Sequence, residues 1–176
     1  MPRFALLLAC ALPASLVGPP SQARQAEAPP ACTAPAELPA PLTGWAAPGT
    51  MKAAANAKGS ATARLIPGRA MQLKLLPTPK IAYPLRPEKP GGSVSFGGLA
   101  SFTVAEEGMW RVALSSGAWI DVVKDGVAWP SVAHGRGPDC SGIRKMVDYR
   151  LTPGTYMLQV SANGTDASTL LVARLP

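Results

Sequence analysis

Three short runs inside Gly108–Val160 decide how this chain folds: Trp110-Arg-Val-Ala-Leu114, Lys145-Met-Val-Asp-Tyr-Arg-Leu151 and Thr155-Tyr-Met-Leu-Gln-Val160. Apolar residues alternate at Trp110, Val112 and Leu114, at Val147, Tyr149 and Leu151, and at Tyr156, Leu158 and Val160. A period of two places every second side chain on one face, which is the pattern of a half-buried strand. Ser115-Ser116-Gly117, Asp125-Gly126 and Pro153-Gly154 punctuate the runs with turn residues. The first of these turns predicts a hairpin between Trp110–Leu114 and Ala118–Lys124, with Gly117 at positive φ. Trp110, Val112, Leu114, Ile120, Val122, Tyr149, Tyr156, Leu158 and Val160 are the expected core.

Outward from this stretch, further strands are expected at 71–75, 93–96, 100–104, 127–129 and 168–174, with Gly97-Gly98 dividing two of them. Frequent turns and about eight or nine short strands predict an all-β fold, a jelly-roll-like sandwich of two antiparallel sheets. The composition agrees: 20 prolines and 17 glycines leave little room for long helices. Pro84, Pro87 and Pro90 recur every third residue, the spacing of a polyproline II ridge, which would cover an edge or dock a partner.

The chain opens with Arg3, an apolar run over 4–17 and Ser21-Gln22-Ala23, the features of a signal peptide cleaved near Ala23. The apolar run falls short of the ~20 residues that a transmembrane helix needs. Lipoprotein processing at Cys10 is the alternative. The organisation expected is a signal peptide over 1–23, a Pro/Ala-rich linker over 24–63 and a β-sandwich domain over 64–176.

Removing the leader leaves two of three cysteines, Cys32 and Cys140. In an exported chain an even pair predicts a disulfide, and a free, reactive Cys140 is the competing reading. The periplasm or the medium is the expected location. The net charge of +7 falls by one with Arg3, and the excess is concentrated in Lys52, Lys58, Arg64, Arg69, Lys74, Lys80, Arg86 and Lys89, among which Glu88 is the only acid. This segment would face an anionic envelope component or a partner protein, or be a solvated surface. Nucleic acid is disfavoured by export and by the scarcity of aromatics among the cations.

Sequence patterns for phosphate loops, dinucleotide fingerprints and zinc proteases are absent. The loop expected over 131–144 is the distinctive one, since it holds the single histidine, His134. His134, Asp139 and a free Cys140 would suit a metal, and Arg136, Arg144 and Lys145 an anion. Alternatively Cys140 staples the loop and His134 anchors it by hydrogen-bonding a backbone group. A Ser-His-Asp triad can be drawn from Ser131 or Ser141, His134, and Asp121 or Asp148, as in any chain with one histidine. Asp121, set in an apolar run, would need a partner if buried, with Arg111 across the expected hairpin or Arg144 as candidates.

The runs FGGLASFTVAEEGMWRVALSSGAWIDVV (96–123) and AHGRGPDCSGIRKMVDYRLTPGTYMLQVS (133–161) resemble a family of small exported α-proteobacterial proteins, over roughly residues 65–174. Many members carry the label homogentisate 1,2-dioxygenase. The resemblance implies, through that label, a metal-dependent oxygenase whose iron is held by two histidines and a carboxylate. One histidine cannot supply that set, so no ligand carries over. The ending LTPGTYMLQVSANGTDASTLLVARL also resembles the last strands of pre-peptidase C-terminal-like domains. The expectation is an exported non-enzymatic binding or structural module without a cofactor, with the iron oxygenase as the alternative.

Overall fold

The computed structural model describes residues 31–176. The expected signal peptide, its cleavage point at Ala23, Cys10 and the first part of the linker lie outside the described residues. Residues 32–63, read as linker, belong to the compact unit Cys32–Pro176.

Eleven strands are present among the described residues: β1 (Gly49–Lys52), β2 (Met71–Lys74), β3 (Leu76–Pro77), β4 (Phe96–Val104), β5 (Gly108–Leu114), β6 (Trp119–Lys124), β7 (Val127–Ala128), β8 (Ser131–Gly135), β9 (Lys145–Leu151), β10 (Gly154–Asn163) and β11 (Ala167–Arg174). They form a six-stranded sheet, β1-β2-β11-β5-β9-β8, and a five-stranded sheet, β3-β4-β10-β6-β7. Within these, β2-β11-β5-β9 faces β4-β10-β6-β7, the strand order produced by two Greek keys wound into a jelly roll. β1, β8 and β3 extend its edges. Every strand pair is antiparallel except β1–β2, which is parallel. The chain is therefore the two-sheet sandwich that the alternation predicts, and all nine expected core residues are buried.

Three local expectations are corrected. β5 and β6 do not form a hairpin: Ser115–Ala118 carries the chain from one sheet to the other, and Gly117 is not at positive φ. Gly97-Gly98 does not divide two strands but lies inside β4. A Cβ at Gly97 would strike the Tyr83 hydroxyl and the Val160 carbonyl, and one at Gly98 would strike Ala53. These glycines admit close neighbours rather than a turn. Residues 131–135, expected to be loop, form β8, because the backbone of β9 pairs with them along Ser131–Gly135. The turn at Asp125-Gly126 does join a hairpin, β6–β7, with both residues at positive φ (53° and 76°).

Both outer faces are strapped. On the first sheet, a 3-10 segment at Ala40–Ala46 packs Leu42 and Trp45 against Ala113, Ile143, Leu171 and Ala173. Cys32 is disulfide-bonded to Cys140, with 5.4 Å between Cα atoms and a sequence separation of 108. On the second sheet, the proline-rich stretch lies across a face, not an edge. Gln159 Nε2 donates to Leu85 O (3.0 Å), Gln159 Oε1 accepts from Leu85 N (3.2 Å), and Ser161 Oγ donates to Lys89 O (2.8 Å). Gln159 and Ser161 point away from the core yet are buried, and the strap satisfies their polar groups.

Candidate functional site

Between the sheets, beside β6, the inner face of β9 is incompletely covered towards its Lys145 end. The phase that buries Val147 and Tyr149 in β9 also brings Lys145 to this face, two residues earlier. Register sets Ser131 of β8 opposite Tyr149, and His134 opposite Val147, so both join the same face. The second sheet should cover them, but β7 has only two residues and pairs with Val123 and Lys124 alone. Along Trp119 and Ile120 no strand continues that sheet. The result is a cleft of about 310 Å³ lined by Trp119, Ile120, Ser131, His134, Lys145, Val147 and Tyr149.

The polar groups in this cleft are donors or donor-acceptors, and no carboxylate lines it. Tyr149 is 2% exposed, and its hydroxyl makes no hydrogen bond among the described residues. Burial, and after it the charge of Asp121, holds the phenol above its ordinary pKa, so it stays protonated. Lys145 Nζ donates to Ala118 O at 2.9 Å and lies 5.2 Å from the centroid of the Trp119 indole. Lys89 Nζ lies 5.1 Å from the same centroid. Two ammonium groups thus share one ring. Burial first, and Lys89 second, lower the pKa of Lys145, while Asp121 opposes them.

Asp121 sits behind the cleft wall on the outer side of β6. Its Oδ1 accepts from Trp119 Nε1 at 3.0 Å, and its Oδ2 is buried with no hydrogen-bond partner among the described residues. Neither expected partner is there. With β5 and β6 in different sheets, Arg111 instead makes a bidentate pair with Asp148 on the outer face of the first sheet (2.7 and 2.8 Å), and Arg144 is exposed. Burial raises the Asp121 pKa. Trp119 and the neighbouring Gln159 hold the rise back, although Gln159 directs its hydrogen bonds to Leu85 rather than to Oδ2.

Of the residues singled out from sequence, the structure brings His134 and Lys145 together. Arg136, Asp139 and Arg144 are exposed and make no side-chain hydrogen bond or ion pair among the described residues. His134 is no anchor either: it is exposed and its imidazole forms no hydrogen bond among them. The loop is held instead by the disulfide, by Trp45 Nε1 donating to Ser141 O (2.9 Å) and by Ser141 Oγ donating to Pro138 O (2.6 Å). Ser141 and Asp148 are engaged elsewhere, and Ser131 and His134 are not hydrogen-bonded to each other, so no Ser-His-Asp relay is assembled among the described residues.

Iron held by two histidines and a carboxylate does not fit these residues. The chain has one histidine, Cys140 is oxidised, and among the described residues no three of His, Cys, Asp and Glu converge.

The basic residues of 52–89 do not form one patch. Lys52 and Lys74 are register partners on the β1–β2 edge, Arg64 bridges to Ser101 of β4, and Lys89 turns to Trp119. The groove beside Lys52 and Lys74, about 500 Å³, is larger than the cleft, and it includes Asp166.

Sequence reasoning placed Tyr149 in the core, where its ring does lie, and gave Trp119 no role. The available signal was Lys145 continuing the apolar face of Val147 and Tyr149.

Fold and site define a disulfide-closed jelly-roll sandwich with a donor-lined cleft at the open side of its sheets. No family model matches the chain, and no curated protein matches it. The disulfide points to an oxidising, extracytoplasmic environment, and no helix among the described residues is long and apolar enough to cross a membrane.

Proposed function

We propose that this protein is an exported, non-enzymatic binding module of the periplasm or medium, freed of its leader near Ala23, and that its ligand occupies the cleft between β6 and β8–β9. The observation that carries this reading is Tyr149. A hydroxyl on a residue 2% exposed, lining a cleft and without a hydrogen-bond partner among the described residues, leaves a hydrogen bond for whatever enters. Ser131, His134 and Lys145 converge on the same space. Supporting export, the disulfide closes a loop of 108 residues, worth about 4–5 kcal/mol in the chain-entropy limit.

A cleft-filling variant tests the site. Small molecules that raise the melting temperature of the wild-type protein should lose that effect in Ser131→Trp, which retains the fold because β8 is an exposed edge strand. Stabilisation that persists undiminished in the filled variant would place binding elsewhere.

A further inference from the structure

The cleft also indicates the class of its ligand, an inference that rests on the binding reading above. Its walls are apolar at Ile120, Val147 and the Trp119 ring. Its polar atoms are the Lys145 ammonium, the Tyr149 hydroxyl, and the side chains of Ser131 and His134. Lys145 donates one N–H to Ala118 O, which leaves two N–H groups for another acceptor. Lys89 and Lys145 lie 5.1 and 5.2 Å from the Trp119 centroid, and Lys145 feels the like charge of Lys89 although Lys89 does not line the cleft. The nearby acid, Asp121, faces the opposite side of β6, with Oδ1 held by Trp119. The cleft thus offers positive charge, unused donors and apolar walls, but no negative group of its own.

We infer that the cleft binds a small monocarboxylate with an apolar body, its carboxylate received by Lys145 and Tyr149 and its body lying against Ile120 and Val147. A carboxylate accepts several hydrogen bonds and gains from charge assistance by the ammonium. It also offsets the repulsion between the two lysines. A cationic ligand would meet that repulsion, and a neutral alcohol would leave it standing.

The test uses the full disulfide-bonded protein and calorimetric titration with benzoate, a planar acid, and hexanoate, a flexible one, each beside its neutral counterpart, benzyl alcohol or hexanol. At least one acid should bind tenfold or more tighter than its alcohol, and the better acid tells whether the body is planar or aliphatic. Lys145→Met should remove that preference and Lys145→Arg should keep most of it, with melting curves confirming that both variants fold. Alcohols binding as tightly as acids, or an acid preference that survives Lys145→Met, would overturn the carboxylate assignment while leaving the binding cleft in place. Absence of binding by all four compounds would overturn the assignment too. Loss of the cleft itself is reported separately, by ligand effects that persist in Ser131→Trp.

Discussion

Asp121 shows how one side chain is forced by its neighbours. Its Oδ1 is held by the Trp119 indole while Oδ2 is buried without a hydrogen-bond partner among the described residues, so burial raises its pKa. The folded chain then keeps the proton over a pH window in which the unfolded chain has lost it. The stability tied to that proton is complete below the unfolded pKa, about 4, and is lost as pH rises through the folded value. Asp121→Asn keeps an oxygen for Trp119 and carries no charge. Its melting temperature should exceed that of the wild type at about pH 7, and the gap should close towards about pH 4. A gap of constant size across that range would show that the carboxylate charge is not the cause. Sequence could mark Asp121 as misplaced in an apolar run, but not name its neighbours. Arg111 would neighbour Asp121 only if β5 and β6 paired, and they lie in different sheets.

At the scale of elements, periodicity tells which face of a strand is buried but not to which sheet the strand belongs. Alternation at Trp110, Val112 and Leu114 reads the same whether the next strand pairs with β5 or crosses over, and here it crosses. Gly97-Gly98 resembles a turn signal, yet its role is the close approach of Tyr83 and Ala53, contacts that local sequence does not contain. β8 was hidden for a third reason. Its residues are all exposed, so no apolar alternation marks it, and only pairing with β9 makes it a strand. The His134 imidazole on this edge makes no hydrogen bond among the described residues. His134→Ala should therefore change stability by no more than about 0.5 kcal/mol, the size of an ordinary surface substitution. Chemical denaturation measures it, and a loss of 1 kcal/mol or more would mean that the imidazole holds β8 in place.

Across the whole molecule, the jelly roll buries one face of each sheet, and two straps of low regularity cover the other faces. The sandwich was legible because burial on one face leaves a period of two. The disulfide was legible by counting cysteines. The cleft was not, because it arises from a length mismatch: β7 ends after two residues while β8 and β9 continue beside it. Tyr149 has the sequence signature of any core aromatic, and nothing local reveals that its hydroxyl lacks a hydrogen-bond partner among the described residues. The segment around Trp45 seals the outside of the first sheet, Leu85 to Lys89 seals the second, and the disulfide fixes the loop between β8 and β9.

The site can be located directly by two-dimensional NMR of the isotopically labelled, disulfide-bonded protein during titration with benzoate and hexanoate. The indole N–H of Trp119 serves as one reporter, and the backbone amides of Ser131, His134, Lys145 and Tyr149, residues that also line the cleft, serve as the others. Shifts concentrated on these five residues, saturating together with one dissociation constant, are the expected result. Shifts centred instead on Lys52, Lys74 and Asp166 at the β1–β2 edge, or no saturable shifts at the cleft, would contradict the assignment of β6 and β8–β9 as the binding site.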